Sequence, residues 1–238
     1  LREQYEKLKD IDKIRTDLVR RTTHELKTPL ISLFSASQHI LNMYSDELSE
    51  DILKFIKIIN RGGERLKRLT NNFLDAYNIQ ARQLLLKEER FDLVKSIKEC
   101  ANDLIFSLEQ RDLFLKENLP DQFIITADKS RIEQGILNLL SNAIKNTPPK
   151  GLILIKLDSN DDYVDIIFED TGIGLTTDEK KNIFKKFGKI ERENIDADLD
   201  TEGSGLGLFI TKEIIEMHGG EIRVSSEGRN KGSCFTIR

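Results

Sequence analysis

Three stretches of this 238-residue chain carry side chains whose types and spacing suit chemistry. The first is Arg21-Thr22-Thr23-His24-Glu25-Leu26-Lys27-Thr28-Pro29-Leu30. A neutral imidazole near pH 7 keeps one nitrogen lone pair free for attack, and Glu25 beside it can accept the proton of the other nitrogen. A lone histidine is more often an ordinary surface residue. Here the neighbours Thr23 and Glu25 are polar, and Pro29 interrupts a helical pattern where folding alone does not ask for it, so a kink is expected just beyond the histidine. The second stretch holds Asn138, Asn142 and Lys145 at steps of four and three, which places them on one helical face. Amide oxygens suit a hard cation and the lysine suits an anion, although a solvated polar face would read the same way.

The third set is glycine-rich. Asp170-Thr171-Gly172-Ile173-Gly174 follows an apolar segment, so a carboxylate at a strand end precedes two glycines that permit close approach of a flat ligand. Gly203-Ser204-Gly205-Leu206-Gly207 then opens a helical pattern, where backbone N–H groups face an anion. Either pattern alone is weak. A dinucleotide-binding reading fails on context: no early βαβ unit precedes these glycines, and no acidic ribose partner follows on a later strand.

The elements that must hold these residues fall into two groups. Leu8, Ile11, Arg15, Leu18, Thr22 and Glu25 recur at three and four residues, and Ile52, Phe55, Ile59, Gly62, Leu66, Leu69, Phe73 and Ala76 do so more cleanly. Both spacings predict long helices with a stripe to bury. A turn over 44–49, with Ser45 or Ser49 as N-cap, makes them an antiparallel hairpin. One hairpin has more apolar stripe than it can cover, so a second copy completing a four-helix bundle is expected, making a homodimer. From residue 83 the pattern changes. Strands are expected at 84–89, 113–117, 122–127, 152–157, 163–169, 221–225 and 233–237, and helices at 91–108, 128–147 (capped by Asp128) and 205–218. This predicts an α/β domain with one sheet backed by helices, and a division into residues 1–82 and 83–238.

Composition limits the function classes. Lys plus Arg total 37 and Asp plus Glu 41, a net charge of −4, so no nucleic-acid partner is expected. The two cysteines, Cys100 and Cys234, lack any CxxC or zinc spacing and read as reduced thiols. No run approaches the ~18 apolar residues of a membrane span. The chain opens abruptly in a charged helical pattern, which suits a piece of something longer.

Together and in this order, these motifs resemble those of the sensor histidine kinases of two-component signalling. The resemblance covers essentially the whole chain. His24-Glu25-Leu26-Lys27-Thr28-Pro29-Leu30 is similar to the family's histidine motif, Asn138 and Asn142 to its asparagine motif, and Asp170–Gly174 to its first glycine motif. Phe184-Lys185-Lys186-Phe187 is similar to the phenylalanine motif, and Gly203, Gly205 and Gly207 to the second glycine motif. The resemblance implies a helical hairpin forming a dimeric four-helix bundle, followed by an α/β sandwich ATP-binding domain of the Bergerat type. It implies an ATP-dependent autokinase in which His24 accepts the phosphoryl group with help from Glu25, and Thr28 positions water to dephosphorylate a partner. Asn142 would ligate Mg²⁺ with Asn138 beside it, Lys145 would touch phosphate, and Asp170 would read the adenine amine. Residues 188–204 would form the ATP lid, with Lys189 supplying positive charge.

The implied partner is the receiver domain of a response regulator, whose aspartate takes the phosphoryl group. An upstream sensor domain is implied in the parent chain, of which this would be a cytoplasmic portion; membrane anchoring of the parent is left open. Two departures bear on the nucleotide. Asn146 stands where an aromatic residue is common, and Gly188 where another is frequent. The acids Glu191, Glu193, Asp196, Asp198, Asp200 and Glu202 should repel triphosphate, so modest ATP affinity is expected. Two rival readings are a catalytically silent nucleotide-binding dimeric scaffold and an ATPase clamp. The clamp is disfavoured because Asn138 stands where such ATPases carry a water-activating glutamate.

Overall fold

A computed structural model describes the backbone of residues 2–160, 162–188 and 205–238, and among these the side chains from residue 21 onward except that of residue 24. Lys189, Gly203 and the acidic segment fall outside the described residues, as do the side chains of Leu8, Ile11, Arg15, Leu18 and His24. The chain separates into two compact units, Leu1–Leu84 and Leu85–Arg238.

The first unit is a hairpin of α1 (Arg2–Tyr44) and α2 (Glu50–Gln80), joined through a single 3₁₀ turn at Ser45–Glu47. Ser49 takes the N-cap position of α2, but its side chain makes no capping bond; Glu50 and Asp51 put negative charge at the positive helix end instead. α1 passes through Pro29 as one continuous helix. The two helices meet closely because Gly63 has no side chain: a Cβ there would sit 3.2 Å from the Cβ of Phe34. Around this contact, Asn60 Nδ2 donates to Ser37 Oγ at 3.0 Å, Ser37 Oγ donates to Phe34 O at 2.8 Å, and Lys67 Nζ lies 5.1 Å from the Phe34 ring centre.

The face of α2 turned inward is therefore Leu53, Ile56, Asn60, Gly63 and Lys67, each buried or half-buried. The neighbouring stripe, Ile52, Phe55, Ile59, Leu66 and Phe73, stays exposed, with Phe55 at 65%. The spacing predicts that this stripe needs cover, and among the described residues these five stay about half exposed or more, while Leu69 is half-buried and Ala76 buried.

The second unit holds β1 (Glu89–Asp92), α3 (Leu93–Asp103), α4 (Ile105–Gln110), β2 (Phe114–Asn118), β3 (Ile124–Ala127), α5 (Lys129–Asn146), β4 (Leu152–Ser159), β5 (Val164–Asp170), α6 (Thr177–Asn182), α7 (Gly207–Met217), β6 (Ile222–Ser225) and β7 (Ser233–Ile237). The main sheet runs β2-β4-β5-β7-β6, parallel only between β2 and β4; β1 and β3 form a separate antiparallel pair. Alternate residues of the sheet, including Ile153, Ile155, Phe168 and Phe235, face a core completed by Leu93 and Ile97 of α3, Ile136, Leu139 and Leu140 of α5, and Ile215 of α7. This is a two-layer α/β sandwich.

Three local expectations need correction. The strand expected at 84–89 begins only at Glu89. The helix expected over 91–108 starts later and is broken at Leu104: Asp92 ends β1 and caps α3, its Oδ1 accepting from Val94 N and from Phe123 N, both at 3.1 Å. α6 was not expected, although Thr176 and Glu179 form a complete capping box at its start. The Asp128 cap of α5 is present, with Arg131 N donating to Oδ1 at 3.1 Å.

Candidate nucleotide and phosphotransfer sites

α5 is the organising element of the second unit. Its apolar face is buried, so Asn138, Asn142 and Lys145 are left on the other, each half-buried. Asn138 Nδ2 donates to Thr211 Oγ1 of α7 at 2.9 Å, and a Cβ on Gly207 would collide with the Asn138 amide. Asn138 thus ties α5 to the first two turns of α7, and Gly207 is glycine because the amide occupies that space. Four residues beyond Asn142, Asn146 Nδ2 donates back to Asn142 O at 2.7 Å.

The turn after β5 docks on the C-terminus of the same helix. Ile173 N donates to Asn146 O at 2.9 Å, and a Cβ on Gly172 would lie 2.5 Å from that oxygen. Gly174 has φ +64°, a conformation that costs any other residue strain. Gly205, at φ +66°, packs against the backbone of Phe187. α5, the phenylalanine motif and both glycine motifs are therefore brought together through Gly207–Asn138, Gly172–Asn146 and Gly205–Phe187.

Asp170 is buried at the end of β5. Burial pushes its carboxyl above the ordinary value of 3.8, against the pull of hydrogen bonds from Ser233 Oγ (2.5 Å) and Gly172 N (2.8 Å). Such an acceptor, locked by two donors, suits recognition of an exocyclic amine. Ser233 and Thr211 escaped sequence reasoning. Ser233 is the direct partner of Asp170 in the β5–β7 register, a relation only sheet pairing reveals.

The acceptor candidates lie on the other unit. Glu25 and Thr28 are exposed on α1, within the helix that also carries position 24, while Thr23 is buried. Among the described residues no His, Cys, Asp and Glu cluster could hold a metal. The amide oxygens of Asn142 and Asn138 are hard donors of the kind Mg²⁺ takes when phosphates and water complete its shell, so this donor set fits that ion.

Residues 14–82 match the His Kinase A (phospho-acceptor) domain, and residues 127–238 match the family of histidine kinase-, DNA gyrase B- and HSP90-like ATPases. The chain is a member of the sensor histidine kinases. It is 33% identical over 220 residues to the circadian input-output histidine kinase CikA of Synechococcus elongatus, covering 90% of this chain and 28% of that protein. It is likewise 33% identical over 240 residues to the adaptive-response sensory kinase SasA of a Synechococcus species, covering 100% of this chain and 60% of the relative. The fold of this histidine kinase is similar to that of full-length ShkA, solved in complex with AMPPNP, with a TM-score of 0.74 at 23% identity over 93% of this chain and 45% of the other. The histidine kinase chain thus spans about a quarter to three fifths of these curated relatives. Its second unit contains the ATP-binding domain of the family. Among the described residues, no helix of this histidine kinase is long and apolar enough to cross a membrane.

Proposed function

We propose that this chain is an ATP-dependent protein-histidine autokinase that phosphorylates His24 and passes the phosphoryl group to an aspartate in the receiver domain of a response regulator. The observation that carries the reading is the meeting of four motifs around α5, with Asp170 held as a buried acceptor, on a chain whose α1 carries the His24-Glu25 pair. In the reading, Asp170 selects the adenine amine and the turn from Gly172 to Gly174 lines the base. The N-terminus of α7, with Gly203, Gly205 and Gly207, faces phosphate, as do Lys145 and Lys189.

Asn142, with Asn138 beside it, would hold Mg²⁺, which supplies charge neutralisation at the phosphates. The His24 lone pair forms the N–P bond as the bond from the γ-phosphorus to the ADP oxygen breaks, and Glu25 accepts the proton from the other ring nitrogen. Alignment and electrostatics carry such a transfer, with little covalent work for the protein. Thr28 would position water for dephosphorylation of the regulator.

The active form in this reading is a homodimer, its bundle closed by the exposed stripe Ile52, Phe55, Ile59, Leu66 and Phe73. We assign residues 1–82 to the phosphotransfer hairpin and 83–238 to the catalytic domain. An upstream sensor domain in a longer parent protein fits the fraction of its relatives that the chain spans. A catalytically silent scaffold would not need His24, Asn142 and Asp170 all to be present. The test is incubation with γ-labelled ATP and Mg²⁺: acid-labile, alkali-stable label that is lost in His24→Ala and in Asn142→Ala supports the autokinase. ATP turnover persisting in His24→Ala would favour the clamp.

A further inference from the structure

The turn that carries Gly172 and Gly174 is held from its far side by the β6–β7 loop, residues 226–232, which none of the motifs above includes. Gly232 N donates to Gly172 O at 3.0 Å, Asn230 N donates to Ile173 O at 2.7 Å, and Leu175 N donates to Ser226 Oγ at 2.9 Å. Ser226 Oγ donates in turn to Gly232 O at 2.7 Å, and its carbonyl accepts from Lys180 Nζ of α6 at 2.9 Å.

Arg229 joins both ends. Its Nη1 donates to Gly174 O at 3.3 Å, and its Nη2 donates to Glu179 Oε1 at 2.7 Å. Glu179 is the capping-box residue of α6: its other oxygen accepts from Thr176 N at 2.8 Å, and its side chain is only 10% exposed. Gly174 has no room for a side chain, because Gly228 O already fills the place a Cβ would take. A two-armed guanidinium is required here; a lysine ammonium cannot span a carbonyl and a carboxylate in fixed geometry.

We propose that Arg229, acting with Glu179 and Ser226, is a positioning residue for nucleotide binding: it clamps the Asp170–Gly174 turn between the β6–β7 loop and α6 without touching the nucleotide. The inference rests on the ATP-site reading of Asp170. The clamp holds the backbone that approaches the base, so its loss loosens the site while the reacting groups stay as they are.

The test measures MgATP binding by calorimetry, amide exchange at residues 172–175, and autokinase kinetics for wild type, Arg229→Met, Arg229→Lys and Ser226→Ala. Arg229→Met is expected to raise the MgATP dissociation constant and KM about tenfold, with kcat unchanged and exchange accelerated at 172–175 but not in β4 and β5. Arg229→Lys, which retains one arm, should fall between. Unchanged MgATP affinity in Arg229→Met overturns the proposal. If that variant fails to fold, unchanged affinity in both Arg229→Lys and Ser226→Ala overturns it. Wild-type protein that binds no MgATP would instead refute the Asp170 reading.

Discussion

Ser233 Oγ donates a 2.5 Å hydrogen bond to Asp170 Oδ2, across the register that pairs β5 with β7. Because burial raises the Asp170 carboxyl above 3.8, the folded chain binds this proton more tightly than the unfolded one. Its contribution to stability is full below the unfolded value and is lost as pH rises through the folded value. At neutral pH the buried charge is a cost. Asp170→Asn should therefore unfold at a higher temperature than wild type at pH 7, with the difference shrinking as pH falls toward 4, while losing ATP binding. A lower unfolding temperature at pH 7 would contradict this. Ser233→Ala removes a bond that favours the carboxylate and should weaken ATP binding about tenfold, the worth of one charge-assisted hydrogen bond.

The exposed stripe on α2 predicts assembly. Ile59→Asp combined with Leu66→Asp places charges where a partner hairpin would bury apolar surface. Light scattering after gel filtration should show wild type at twice the chain mass and the double variant at the chain mass. A double variant that keeps the wild-type mass would place the dimer contact elsewhere.

His218, at the C-terminal end of α7, acts as a staple. Its Nε2 accepts from Asp128 N at 3.0 Å, while Nδ1 lies 2.8 Å from Ile214 O. It joins the end of α7 to the cap of α5, where Asp128 also receives Lys87 N at 2.8 Å. His218→Leu leaves the Asp128 N–H without its acceptor and should cost about 1–3 kcal/mol, read as a lower urea midpoint. His218→Leu with an unaltered midpoint would remove this role.

What sequence made legible were features written in contiguous residues: the histidine motif, the Asn138/Asn142/Lys145 face, the Asp128 cap and the strands β4 and β5. Relations across distant segments were not legible. The inward face of α2 differs from the cleaner apolar stripe because Gly63, not a large residue, decides where the helices touch. Asn138 meets Thr211 seventy-three residues away, and Arg229 meets Glu179 at fifty. α6 has only six residues, too few for periodicity to show, and its capping box was its one available signal.

The central claim is that the imidazole at position 24 receives the γ-phosphoryl group of ATP. Mass spectrometry of the full chain after incubation with MgATP, under conditions that preserve phosphoramidates, tests it directly. Phosphate is expected on His24, and absent from Asn142→Ala and Asp170→Asn. Protein that binds MgATP yet carries no phosphate at His24 would contradict it.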